Sequence, residues 1–251
     1  MSVIKLVESK DYIYLKGGDF MRMKAILWIL LLTLWSATFA GAQGGDRRGG
    51  FGVFADYYVP LFNFRETYTE TFKLGIAGHC VTSPSRIVEV EYHYSKFTEG
   101  SLEQKTFQFK DGVDYGSPEA QADMTFNSAV VNWLFSLKEE GFSGEGGVPY
   151  LTIGAGFHDY HSKVSGLIFP EQGGATLDTS LLLEDIDDTR TALGVNFGGG
   201  VQIFLSPRAA LDLRARYNVI VGELRPFLNW GVHKAYPFHL FDVGVGVKFY
   251  L

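Results

Sequence analysis

Large apolar residues alternate with polar or small residues in several long stretches of the chain. The clearest stretch is Phe238–Leu251, where Phe, Val and Leu occupy every second position from Phe241, and Asp, Gly, Lys and Tyr stand between them. Successive side chains of a strand point to opposite faces, so this period of two predicts a β-strand with one apolar face. Such a strand suits a barrel in lipid, where the apolar face turns outward to acyl chains and the polar face turns inward.

The same alternation recurs along the rest of the chain, least regularly in the fourth stretch. It predicts eight strands, at about Phe51–Val59, Glu70–Val81, Arg86–Phe97, Gln121–Leu137, Pro149–Asp159, Thr189–Leu205, Arg208–Val221 and Phe238–Leu251. Each is long enough to cross a membrane when tilted, which takes about 9–11 residues. Short turns such as Ser206–Pro207 alternate with long loops, including Thr98–Ala120 and Tyr160–Asp188. This layout predicts an all-β, eight-stranded, antiparallel up-and-down transmembrane β-barrel.

A soluble eight-stranded barrel of the calycin type is the competing architecture. In such a barrel the apolar side chains of each strand would point inward and the polar side chains outward. The inward set would then be bulky on nearly every strand, while Glu89, Glu91, Arg214 and Arg216 would face water. We therefore favour the membrane barrel.

The N-terminal region has the features of a cleavable secretory signal peptide at Met21–Ala42. Two basic residues precede an apolar core, and the small residues Ala40 and Ala42 mark a cleavage site. An N-terminal membrane anchor is the alternative, but the apolar core is shorter than the roughly 20 residues that a spanning helix needs. We predict four segments: a start-site overcall at 1–20, the signal peptide at 21–42, a flexible lead-in at 43–50 and the barrel domain at 51–251.

Composition agrees with a barrel and excludes several other classes of protein. Aromatic residues make up 15% of the chain and glycine contributes 30 residues, which suits aromatic girdles outside a barrel and small residues inside it. The single cysteine, Cys80, excludes an intramolecular disulfide framework and a cysteine-based zinc site. The net charge of −6 argues against a nucleic-acid partner.

In three segments, apolar residues occupy every second position, and glycines and polar residues stand between them. These segments are Pro149–His158, Gly194–Tyr217 and Val243–Leu251. They resemble the eight-stranded outer-membrane β-barrel family that includes the OmpA transmembrane domain, OmpX and the opacity-type adhesins. The resemblance implies export to the outer membrane of a Gram-negative-type cell envelope. The pattern Gly246-x-x-Phe249-x-Leu251 is similar to the signal read by the barrel assembly machinery, although proteins of this family usually end in Phe.

Charged residues lie at lumen-facing positions of the predicted strands. Glu89 and Glu91 belong to the third strand, and Arg214 and Arg216 to the seventh, across a lumen barely wide enough for side chains. Buried charges need partners, so these residues predict a plug of structural ion pairs. A gated ion path is the alternative, which would make the protein a narrow pore. The predicted network comprises Lys73, Glu89, Glu91, Asp212, Arg214, Arg216, Asp242 and Lys248.

His93 and Ser95 share one face of the third strand, because side chains two residues apart in a strand point the same way. Their spacing resembles that of outer-membrane lipid A deacylases, in which an imidazole activates a hydroxyl. The parity sends both residues to the lumen, where polar filling is the simpler interpretation. A lipid A-modifying enzyme is therefore the less favoured alternative, and we predict no catalysis.

The longest loop contains two apolar triplets, and exposed apolar segments of this kind indicate contact with a partner or packing. The triplets are Leu167, Ile168 and Phe169, and Leu181, Leu182 and Leu183. We expect a structural or surface-interaction role, adhesin-like in character, through the long extracellular loops. The expected partners are outer-membrane lipid and lipopolysaccharide, the barrel assembly machinery and a surface protein ligand. No cofactor, metal or nucleic acid is expected.

Overall fold

The structure is a computed structural model that describes residues 49–98, 102–143, 146–224 and 227–251. The predicted start-site overcall and signal peptide, with Ala40 and Ala42 at its cleavage site, lie outside the described residues. Within the described ranges, no helix is long and apolar enough to cross a membrane.

The described residues form ten strands joined by turns, loops and short 3₁₀ helices. The strands are β1 (Gly49–Leu61), β2 (Thr71–Ser83), β3 (Arg86–Phe97), β4 (Thr106–Gln108), β5 (Asp114–Gly116), β6 (Gln121–Ser136), β7 (Gly146–Ser165), β8 (Ile186–Ser206), β9 (Ala209–Ile220) and β10 (Phe238–Tyr250). The 3₁₀ helices are Phe62–Glu66, Leu102–Gln104, Gly141–Ser143 and Leu228–Trp230.

Eight of these strands close into one antiparallel barrel. The order around it is β1, β2, β3, β6, β7, β8, β9 and β10, and β10 returns to pair with β1. In this closure, Gly50 pairs with Tyr250 at one end of the ladder and Leu61 pairs with His239 at the other. Closure leaves no sheet edge within the barrel wall. The predicted eight-stranded antiparallel barrel is confirmed.

The two ends of the barrel differ in their connections. At the turn end, tight turns join β2 to β3 and β8 to β9, a longer connection joins β6 to β7, and β10 ends. At the other end, which we call the cap end, long connections follow β1, β3, β7 and β9. β4 and β5 form a separate two-stranded sheet within the connection after β3, where we had predicted only a polar loop.

Two strands extend well beyond their predicted ends. β7 has 20 residues and β8 has 21, whereas the five barrel strands β1, β2, β3, β9 and β10 have 12 or 13. The extra residues pair with one another up to Val164 and Ile186, so they form a two-stranded projection at the cap end. The predicted lead-in is also shorter, because Gly49 and Gly50 belong to β1.

Burial shows which of the two alternating sets of side chains on each strand faces outward. On β2, Phe72 is 66% exposed and the adjacent Lys73 is 1% exposed. Six strands carry an outward aromatic residue at the level where the shorter strands approach their cap ends, and we call this set the cap-side girdle. It consists of Tyr57, Phe72, Tyr94, Phe157, Tyr217 and Phe241. An apolar exterior with aromatic residues near its margin and polar side chains inside is typical of a transmembrane barrel.

Candidate functional site: the barrel interior and the cap

Six buried charged side chains meet in the middle of the barrel, and we call them the charged layer. They are Asp56, Lys73, Glu91, Arg214, Arg216 and Asp242. Arg214 donates from Nη1 to Glu91 Oε1 over 2.7 Å and from Nε to Asp56 Oδ1 over 3.0 Å. Its guanidinium carbon also lies 3.7 Å from the ring centroid of Phe54, which points inward from β1. The Glu91 and Arg214 contact joins opposite walls of the barrel.

Lys73 and Arg216 complete the charged layer. The Nζ atom of Lys73 is 2.9 Å from Asp56 Oδ2 and 2.7 Å from Asp242 Oδ2. Arg216 donates from Nη1 to both oxygens of Glu91 at 3.0 Å. Asn218 Nδ2 donates to Asp242 Oδ2 over 2.8 Å. Each carboxylate of the layer therefore contacts at least two donor side chains, which offsets the cost of burying its charge.

A second group of charges lies closer to the turn end, and we call it the turn-side ion cluster. Lys248 Nζ is 2.6 Å from Glu89 Oε2 and 3.2 Å from Asp212 Oδ2. The hydroxyl of Tyr150 donates to Asp212 Oδ1 over 2.8 Å. All eight residues of the predicted network thus lie inside the barrel, in two groups. The alternation of side chains also predicts that Tyr150 points inward. Nothing in the sequence shows that its hydroxyl bonds Asp212 rather than only filling space.

Apolar side chains lie beyond the charges at both ends of the barrel. The turn-side apolar cluster is made of Ile87, Leu134, Phe142, Val148, Tyr150, Ala210 and Tyr250. At the cap end, Tyr58, Phe97, Phe126, Ile220 and Leu240 begin a larger cluster that continues into the loops. On β3, β9 and β10, the run of charged or polar inward residues is followed at each end of the strand by an apolar inward residue. The charged side chains are therefore enclosed between two apolar layers.

The cap end is closed by loops that pack on one another and on the barrel interior. Phe64, in the 3₁₀ helix after β1, stacks with Phe238 of β10 at a centroid distance of 4.9 Å. Phe107 of β4 contacts Trp230 in the β9–β10 connection at 5.3 Å. Lys110 donates to the carbonyl of Gln172 over 2.7 Å and so links the small hairpin to the β7–β8 loop. We call this folded assembly of loops the cap.

The two predicted apolar triplets have different positions in the cap. Leu167 and Ile168 are 1% and 5% exposed and belong to the apolar core that joins cap and barrel, so their expected exposure was wrong. They are buried because the loop folds back on itself, and Leu183 N donates to Leu167 O over 2.6 Å. Leu181 and Leu182 are 50% and 48% exposed. Phe169 and Leu183 are partly buried.

Short side-chain hydrogen bonds hold the turns of the cap. The Ser180 hydroxyl and backbone N–H both donate to Asp178 Oδ1, at 2.6 and 3.0 Å, and they lower the pKa of that carboxyl. The hydroxyl of Tyr115 donates to Asp111 Oδ2 over 2.8 Å, and this bond raises the pKa of the phenol. Both bonds are local, so they stabilise loop conformation rather than a reactive group.

His93 and Ser95 lie inside the barrel, 4% and 0% exposed. Within the described residues, neither His93 Nδ1 nor the Ser95 hydroxyl has a hydrogen-bond partner. The His93 ring lies 6.1 Å from that of His158, whose Nδ1 is 2.8 Å from the Ser128 hydroxyl. A nucleophile and its base must be within hydrogen-bond reach of each other. His93 and Ser95 are not linked by a hydrogen bond.

The residues of the predicted assembly signal lie at the turn end of β10. Phe249 faces outward, is 40% exposed and contacts the ring of Phe51 on β1 at 5.3 Å. Leu251 is 76% exposed, and its N–H donates to Gly49 O over 2.8 Å. A side chain at Gly246 would meet the carbonyl of Val53 at 3.0 Å. Recognition by the assembly machinery stays a prediction.

Comparison with known proteins finds solved structures that are similar to this chain only at low identity. No protein-family model and no curated protein sequence matches it. Neisserial surface protein A is 14% identical, with a TM-score of 0.43 over 82% of this chain and 97% of that one. The attachment invasion locus protein Ail of Yersinia pestis is 10% identical, with a TM-score of 0.43 over 82% of this chain and 100% of that one.

A major outer membrane protein from Thermus thermophilus is 11% identical, with a TM-score of 0.46 over 81% of this chain and 99% of that one. Likenesses this distant do not transfer a ligand or an activity. The assignment of the fold rests on the strand order and the register of this chain.

Proposed function

We propose that the protein is an outer-membrane β-barrel with a structural or surface-interaction role, whose folded cap faces the outside of the cell. The apolar exterior and the cap-side girdle support a position in a membrane. The observation that carries the proposal is the apolar core shared by the cap and the cap end of the barrel, which packs the long loops into one folded surface. A rigid scaffold that displays loops is a common way to position a recognition surface.

The barrel interior supports a closed lumen rather than a pore. Ion pairs between opposite walls fill the middle of the barrel, and apolar clusters lie on both sides of them. An ion would have to pass both apolar layers. We therefore interpret the charged layer and the turn-side ion cluster as a structural plug. The buried positions of His93 and Ser95 give lipid substrates no access, so the proposal excludes lipid-modifying catalysis at these residues.

Leu181 and Leu182 are the exposed apolar residues through which we expect the cap to contact a partner. We predict that the double substitution Leu181→Asp and Leu182→Asp lowers adherence of producing cells to serum-protein-coated glass at least several-fold. The substituted side chains are half exposed, so the cap should stay folded. The measurement counts adherent cells at matched surface levels of the protein.

Val113→Asp is the matched control, because Val113 is 50% exposed and lies in the turn between β4 and β5, outside the β7–β8 loop. Adherence should change little in this control. Equal loss in both variants would mean that added surface charge, and not the Leu181 and Leu182 surface, reduces adherence. Unchanged adherence in the double variant would contradict a recognition role for this part of the cap.

A further inference from the structure

The apolar exterior of the barrel does not end at the same level on every side. Beyond the cap-side girdle, the outward positions on β9, β10 and β1, and the residue that follows β9, are mainly apolar: Val219, Val221, His239, Val59 and Leu61. On β3, β6 and β7 the outward positions beyond the level of the girdle are polar, and on β8 they are polar beyond Leu193. These polar positions include Lys96, Asp123, Asp159, His161, Lys163, Thr191 and Asp187. The apolar exterior is therefore taller on the β9–β10–β1 side.

Phe62 stands at the top of this taller side, directly after β1. Its φ angle is +52°, and among the described residues it is the one non-glycine residue with a positive φ. Its side chain is 69% exposed, more than that of any outward aromatic residue of the barrel wall. The left-handed conformation is unfavourable for a residue with a Cβ atom, and strain of this kind is typical of functional positions.

The neighbours of Phe62 combine apolar surface with satisfied polar groups. Its ring meets the imidazole of His239 edge-on at 5.2 Å, and His239 Nδ1 is 2.7 Å from the hydroxyl of Tyr217. Asn63 Nδ2 donates to Lys234 O over 3.1 Å, which brings the β9–β10 connection beside Phe62. In that connection, Tyr236 is 57% exposed.

Among the described residues around this corner, basic and acidic side chains lie close to one another. Lys234 Nζ is 2.8 Å from Glu223 Oε1 and lies over the Tyr236 ring at 5.5 Å. Arg65 is exposed and Glu70 lies nearby on the same rim. Aromatic rings with polar tips suit the boundary between acyl chains and lipid headgroups. A lysine whose aliphatic stem lies along an aromatic face suits the same boundary.

We propose that Phe62, Val221, Tyr236 and His239 form an interfacial anchor that inserts into the lipid leaflet at the cap end. The occupant of this surface is lipid, because the surface is continuous with the lipid-facing residues Tyr217 and Phe241 below it. The membrane boundary then reaches higher on the β9–β10–β1 side than on the β6–β8 side, where the projection of β7 and β8 stands in water. The inference rests on the proposed membrane location.

The test measures immersion with spin labels on the full chain in phosphatidylcholine vesicles. The background variant Cys80→Ser removes the single cysteine, and labels are attached after Phe62→Cys, Lys163→Cys or Phe72→Cys. Oxygen concentrates in lipid, whereas a nickel chelate stays in water. We expect the label at position 62 to be reached several-fold more readily by oxygen than by nickel, as at position 72, and the label at 163 to show the reverse.

The three labels separate two kinds of failure. If position 72 is accessible to nickel, the barrel is not in the membrane and the proposed function fails. If position 72 is immersed and position 62 is as accessible to nickel as position 163, the anchor alone is overturned. Strong spin–spin broadening at position 62 would show a second copy of the chain on this surface and would also overturn the assignment to lipid.

Phe62→Gly distinguishes anchoring from a purely structural role. Glycine adopts a positive φ without strain, so this change removes the ring while relieving the backbone. We expect the folded barrel to persist, as shown by heat-dependent migration in gels, and a label after Val221→Cys to become at least twofold more accessible to nickel. No change at position 221 would show that Phe62 does not hold this side in the lipid.

Discussion

At the scale of single residues, the main physical problem is the burial of charge. Lys73 is 1% exposed, and its ammonium group lies between the carboxylates of Asp56 and Asp242. Lys96 forms a comparable pair with Asp123 at 3.2 Å, but both side chains are nearly half exposed. An exposed pair is screened by water, whereas a buried charge that loses its partner has no solvent to replace it.

We predict that Lys73→Met lowers the free energy of unfolding by about 3–5 kcal/mol, because it leaves two buried carboxylates with less positive charge. Lys96→Met, which removes the same side-chain charge from the surface, should lower it by less than about 1 kcal/mol. Urea unfolding in phosphatidylcholine vesicles measures both. Similar losses in the two variants would contradict the structural role of the charged layer.

At the scale of elements, the cap depends on contacts between segments that are distant in sequence. The small hairpin of β4 and β5 packs through Phe107 on Trp230, and the β7–β8 loop contributes Leu167 to the same core. None of these short segments has enough apolar surface to fold alone. The cap is therefore a cooperative assembly that forms on the barrel.

We predict that Leu167→Ala loosens the β7–β8 loop, since replacing a buried leucine with alanine typically costs about 2–5 kcal/mol. Leu181→Ala, at a half-exposed position of the same loop, is the matched control. Limited proteolysis of the folded protein should cut within residues 166–185 faster in the first variant only. The barrel should keep its heat-dependent gel migration, and equal cleavage of both variants would count against the cap as a packed unit.

At the scale of the whole molecule, polar and apolar layers alternate along the barrel axis. The charged layer and the turn-side ion cluster occupy the middle, between the turn-side apolar cluster and the core shared with the cap. Removing one member of the ion-pair plug therefore leaves two other obstacles to ion flow. In a gated pore, breaking one ion pair would open a path for ions. In this barrel, the two apolar layers would still block that path.

We predict that Arg214→Ala has no measurable conductance in planar bilayers, like the unsubstituted protein. The substitution removes the contacts to Glu91 and Asp56, but both apolar layers stay in place. Insertion is checked in the same preparation by heat-dependent gel migration. Discrete conductance steps in the variant would show that the ion pairs gate a pore, and steps in the unsubstituted protein would contradict the closed lumen.

The barrel wall was largely predictable because each of its residues obeys a local rule. Side chains alternate along a strand, so the parity of Phe72 and Lys73 already separates lipid-facing from inward positions. The same rule identified the inward charges. It did not show that Arg214 contacts both Glu91 and Asp56, because that choice depends on side-chain reach across a closed lumen.

The loops were the least predictable part, because burial there has no periodic signal. Leu167 and Leu181 look alike in the sequence, yet one is 1% exposed and the other 50%. The hairpin of β4 and β5 and the extra length of β7 and β8 depend on partners that only the folded chain supplies. Phe62 shows the same limit, because nothing local predicts its left-handed backbone.

The sequence by itself determined the number of barrel strands, which side chains of each strand face outward, and the polar interior, since these follow from alternation along each strand. Only the tertiary structure decided which charges pair, which loop residues form the cap core and where the apolar exterior ends on each side. These properties depend on contacts between residues far apart in the chain. The height of the apolar exterior at Phe62 is set by strand register and loop packing together, and neither is encoded in a local pattern.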